Sequence, residues 1–161
     1  MSLARAIYRS RQVLHALRPR LDDAGLRFAR EHLGEPELRL FLAMEKRDQR
    51  HALEVARRLR EQGTASNDLL TAALLHDCAK GGVPVWLRIA NVLSPALVRR
   101  LAKDSHGWRG AAYRLAHHIE LSAEAAAAAG TSPIAVRLIA GKPHPDEAWM
   151  LPILIAADDA S

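Results

Sequence analysis

The chain has 161 residues and a formal net charge of +5, with 49% hydrophobic and 25% charged residues. That balance fits one globular domain with a sizeable core and excludes wholesale disorder. The single cysteine, Cys78, excludes an internal disulfide and any multi-cysteine zinc or iron–sulfur site. Aromatic residues make up only 4%, too few for an RNA surface built on stacked rings. Eight histidines are the compositional feature to explain.

Residues 1–20 are Arg-rich and acid-free, and Ile7, Val13, Leu14 and Leu17 place an apolar stripe along them. They read as a basic first helix ended by Pro19. No apolar core of a secretory signal is present and no run of about 18 apolar residues occurs, so neither secretion nor a membrane partner is expected and a cytoplasmic location is. Residues 1–60 hold 14 Lys+Arg against 8 Asp+Glu, whereas residues 61–161 hold 9 against 10. A basic N-terminal lobe attracts polyanions, and a solvated Arg-rich face is the plainer explanation.

Strong helix formers dominate and β-branched residues never alternate with period two, so the expected class is all-α. A second helix starts at Asp22 or Asp23 and runs to about His32. Gly34 and Pro36 mark a turn into a third. A helix over about 47–61 closes at Gly63. Asn67 or Asp68 caps the next, which runs to about Ala79 and stops at Gly81, Gly82 and Pro84. Short helices are expected at 85–92 and 95–103, a loop at 104–107, and a long helix over 109–129 ending at Gly130. Pro133 opens another to about Ala140. The rigid loop Gly141–Pro145 carries His144, and a last helix covers 146–160. The organisation read from this is an accessory basic helical pair over 1–35 and a helical bundle over 36–161.

Three elements place titratable residues on apolar stripes. His51 shares a helix face with Val55 and Leu59. Asp77 follows Leu70, Ala73 and Leu74 at helical spacing and stands beside His76. Asp158 ends the apolar run that begins at Ile153. An ionised carboxylate in such a place needs a partner. Two histidines and two carboxylates make a mixed nitrogen and oxygen site suited to a divalent transition metal: iron, manganese, nickel, cobalt or zinc. Taken alone, each residue has a plain explanation. A single His on an apolar face is usually a satisfied core residue.

The segment Ala72-Ala-Leu-Leu-His-Asp-Cys-Ala-Lys80 resembles the signature of the HD-domain metal-dependent phosphohydrolases. His51 lies twenty-five residues before His76, where the family has its first His, and Leu154-Ile-Ala-Ala-Asp158 is similar to the family's closing apolar-Ala-Asp. The resemblance covers about residues 47–160. The motif comes nearest to small bacterial members resembling diadenosine-tetraphosphate hydrolases, which also carry Ala before the motif lysine. It implies a compact HD-type helical bundle and one or two divalent metals held by His51, His76, Asp77 and Asp158. His118 and His144 are the additional candidates; His118 fits the family register better than His117, and a loop histidine is the plainer reading of His144. No chain segment after Asp158 is expected to cover the site.

The implied activity is hydrolysis of a phosphate ester or anhydride, with a nucleotide the expected substrate. Asp77 would be both ligand and proton acceptor, Lys80 a phosphate contact, and His118 a ligand or the acid for the leaving group. Arg50 and Arg109 are weaker phosphate contacts, and Trp86 or Trp108 would stack on a base or pack as a lid. Cys78 is read as a buried structural thiol. The competing readings are a non-catalytic metal- or nucleotide-binding module of the same fold and a basic nucleic-acid binder. The last is disfavoured because it has no use for buried carboxylates.

Overall fold

A computed structural model describes residues 23–63, 65–103 and 106–161. The basic first helix expected ahead of Pro19 lies outside these residues. Among the described residues the chain forms nine helices and no strand: α1 (Asp23–His32), α2 (Glu35–Ala43), α3 (Lys46–Glu61), α4 (Asn67–Leu75), α5 (Val85–Leu93), α6 (Pro95–Leu101), α7 (Gly107–Ala128), α8 (Pro133–Ile139) and α9 (Met150–Asp159). The all-α expectation holds.

Helix α4 is the axis of the fold. Each residue from Leu69 to Leu75 is buried, because the helix is apolar all round and α1, α2, α3, α8 and α9 pack about it. Its start differs from the sequence reading. Ser66, not Asn67 or Asp68, is the cap, its hydroxyl accepting the Leu69 N–H at 3.2 Å. Ser132 caps α8 the same way, accepting from Ala135 N–H at 3.1 Å, and its hydroxyl donates to Asp68, so two helix starts are tied together.

The end of α4 differs as well. The helix stops at Leu75 rather than near Ala79, and the chain turns twice, with Cys78 N–H donating to Leu75 O and Lys80 N–H to Asp77 O, both at 3.0 Å. Helix α7 supplies the cause: the Ser122 hydroxyl accepts the Ala79 N–H at 3.1 Å. A bond across the fold thus replaces the next helical one, and it leaves His76 and Asp77 at the mouth of a buried helix.

Two apolar clusters result. The larger joins Phe28, Ala29 and Leu33 to Phe41, Leu59, Leu69, Leu74, Leu138 and Leu154, so α1 packs within the main core. The smaller holds Val83, Leu87, Val98, Ala111, Ala112 and Leu115 beneath α5, α6 and the first half of α7. Helix α7 spans both and breaks its helical geometry at His117, where φ is −121° and ψ is 18°.

Candidate metal centre

His51 projects from the middle of α3, His76 and Asp77 follow the end of α4, and Asp158 lies near the end of α9. The fold brings all four together from three elements. His51 Nε2 lies 2.7 Å from Asp158 Oδ1. His76 Nε2 lies 3.6 Å from both Asp158 Oδ1 and Asp77 Oδ2. The ligand atoms of His51, His76 and Asp77 fall within 4.8 Å of one another. Donor atoms about 2.0–2.2 Å from one ion stand roughly 3 Å apart, so this cluster could close on a common divalent cation with small side-chain shifts.

The two histidines nearest Asp77 are held in the same manner. His76 Nδ1 donates to Ala73 O at 2.8 Å, and His118 Nδ1 donates to Leu115 O at 2.9 Å. A carbonyl oxygen only accepts, so Nδ1 carries the proton and Nε2 of the neutral ring keeps its lone pair. Such a backbone tether is the usual support of a metal-ligating or proton-transferring imidazole. His118 Nε2 stands 3.7 Å from Asp77 Oδ1. His117 instead is exposed and rests its ring 4.5 Å from that of Tyr113. The break at His117 separates the two orientations.

Asp77 sits at the centre with only 3% of its side chain exposed. Burial pushes its carboxyl up, but the charges of His76, Lys80 and His118 and a hydrogen bond from Lys80 outweigh burial and hold it below its ordinary value. Lys80 Nζ donates to Asp77 Oδ2 at 2.5 Å. The His51–Asp158 hydrogen bond raises the His51 imidazole against partial burial and is the first cause of the lowered Asp158 carboxyl. Both carboxylates are therefore ionised at neutral pH, the form that binds a cation.

His144 is not brought into this cluster. Its side chain is exposed on the loop after α8, and its N–H donates to Glu147 Oε2 at 3.1 Å. Glu147 is buried and also accepts from Arg137 Nε at 2.9 Å. The Arg137 hydrogen bond holds the Glu147 carboxyl down at about 2. This pair folds the loop back onto α8, which explains where His144 is held.

The remaining candidates divide. Cys78 is half-buried, its thiol donating to Ser122 O at 3.7 Å, and burial pushes the thiol up; a structural role follows. Arg109 Nε donates to Leu101 O at 3.1 Å and its guanidinium lies 5.8 Å from the Trp108 ring centre, so it braces the α6–α7 corner. Trp86 and Trp108 pair with each other, ring centres 6.0 Å apart.

Sequence reasoning passed over Asp48. It is 4% exposed and accepts both guanidinium arms of Arg88, at 3.3 and 3.4 Å. Asp48 lies three residues before His51, on the same side of α3. A carboxylate on that stripe was the available signal; its partner, forty residues away, was not. No family model, curated protein or solved structure matches the chain.

Proposed function

We propose that the chain is a metal-dependent phosphohydrolase of HD type acting on a phosphate ester or anhydride, with a nucleotide the favoured substrate class. The observation that carries this reading is the convergence of two imidazoles and two ionised carboxylates from α3, α4 and α9, with a lysine and a third tethered histidine beside them. His51, His76, Asp77 and Asp158 would hold one divalent transition metal. An ion held there would supply positive charge for phosphoryl oxygens and would lower the pKa of a bound water toward neutrality.

The chain's own groups account for the rest. Asp77 Oδ1 faces His118 and its Oδ2 faces Lys80, so one carboxylate both binds and accepts a proton from the attacking water. Lys80 releases Asp77 to hold a non-bridging phosphate oxygen with its ammonium. His118, fixed at Nδ1, exchanges a proton only at Nε2; as the imidazolium, protonated at both nitrogens, it would deliver the Nε2 proton to the leaving oxygen and return to the neutral ring. His118 as a second-metal ligand is the alternative role of the same nitrogen.

The test is a screen of nucleotides and phosphodiesters with the chain loaded in turn with iron, manganese, nickel, cobalt and zinc. Hydrolysis that disappears in Asp77→Ala supports the enzyme. A metal-loaded chain that binds nucleotide yet turns over nothing in the screen would make it a binding module of the same fold.

A further inference from the structure

Helix α5 is inside out. Its single charged residue, Arg88, points inward to Asp48 and also lies 3.7 Å from Glu45. Its apolar residues point outward: Val85, Trp86, Ile89, Val92 and Leu93 are all exposed, and only Leu87 is buried. Val92 and Leu93 reach 81% and 79% exposure at the corner before α6. Leu97 and Leu101 of α6 and Trp108 at the start of α7 extend the same exposed apolar set. Scattered exposed apolar residues need no explanation, but this many along two successive short helices do.

The charge around the face identifies what covers it. Apart from Lys80 and Arg88, which pair inward with Asp77 and Asp48, the segment between Asp77 and Glu120 holds five Lys+Arg and one acidic residue, Asp104. Arg99, Arg100 and Arg109 are exposed beside the apolar residues. A second copy docked face to face would bring these like charges together. An anionic partner fits. The most exposed apolar groups, Val92 and Leu93, stand at the turn between α5 and α6, and the exposed tryptophans Trp86 and Trp108 pair with each other near the start of α5 and α7. That combination of apolar tip, tryptophan and basic fringe is what an interfacial element offers to a lipid surface.

We propose that the α5–α6 corner docks on an anionic lipid bilayer, Val92 and Leu93 entering the acyl boundary and the basic fringe contacting headgroup phosphates. A cleft of about 670 Å³, lined by Gly82, Trp108 and Arg114 among others, opens beside Trp108 and gives a phosphate group a place beside a guanidinium. The absence of an expected membrane partner rested on the lack of a spanning segment. No helix among the described residues is long and apolar enough to cross a membrane, but lying on a surface needs no such helix. The proposal is independent of the metal reading.

The experiment is flotation of the full chain with vesicles of phosphatidylcholine alone or mixed equally with phosphatidylglycerol. Wild type floats with the mixed vesicles and not with the neutral ones. The double variant Val92→Ser/Leu93→Ser, altered only at exposed positions, loses about tenfold or more in affinity while its helical circular dichroism and melting match wild type. Arg99→Glu/Arg100→Glu weakens binding comparably. Two results overturn the proposal: no flotation of wild type, or flotation unchanged in the Val92/Leu93 variant, which would assign binding to another surface. A wild-type dimer that becomes monomeric in that variant, with no vesicle binding, overturns it too and assigns the face to a second copy.

Discussion

Helices α4 and α5 are each nine residues long and largely apolar, yet α4 buries all seven residues from Leu69 to Leu75 whereas α5 buries only Leu87. The difference lies in their surroundings. Five helices enclose α4, so its apolar circumference is matched on every side. Helix α5 rests on the small second cluster through Leu87 and the half-buried Ala90, and on α3 through the Arg88–Asp48 pair. Composition states how much apolar surface a segment carries; the neighbours decide whether it is core or contact surface. In this chain the enclosed helix delivers His76 and Asp77, and the open one leaves most of its apolar residues exposed.

Substitutions sharpen that contrast. The largest effect falls on α4. Leu74→Ala leaves a cavity where no neighbour can close in, and costs about 2–5 kcal/mol in denaturant unfolding. Asp48→Ala comes next. It leaves the Arg88 guanidinium with only Glu45 and the Val83 carbonyl, and a loss of about 1–3 kcal/mol follows. A smaller loss for Asp48→Ala than for Leu93→Ala would contradict the view that this ion pair is what anchors α5.

An acid titration probes the Arg137–Glu147 pair. The folded carboxyl sits at about 2, below the ordinary 4.5, so its contribution is present above about 4.5 and is lost as pH falls toward about 2. Glu147→Gln removes that part of the acid sensitivity, read as a flatter melting temperature against pH across this window. Smallest of all is Leu93→Ala, on a side chain already 79% in water: unfolding changes by under about 0.5 kcal/mol. A cost near that of Leu74→Ala would mean that the face is not open.

Much of the fold was legible because breakers and caps punctuate it. Gly34-Glu-Pro36, Gly63, Pro95, Gly130 and Pro133 each stand at or next to a helix boundary. What was not legible depended on distant partners. Ser66, Asn67 and Asp68 are three capping residues in a row, and local rules do not choose among them. The stop at Leu75 comes from Ser122 on α7, forty-three residues from the Ala79 it binds. His51, His76, Asp77 and Asp158 were readable because polar residues on apolar stripes demand an explanation. His144 lacked such a stripe, and its loop is held by Arg137 and Glu147 instead. The outward face of α5 was hidden because an apolar helix reads alike whether it is covered or bare.

The central claim is that α3, α4 and α9 together build a metal site. Metal content per chain, measured on purified untagged protein and on His76→Ala after exposure to iron, manganese, nickel, cobalt or zinc, tests it most directly. The account predicts about one ion per chain in wild type, or two if His118 is a ligand, and loss of metal in the variant with its helix content unchanged. Wild type that takes up none of these metals, or a variant that retains them fully, would contradict it.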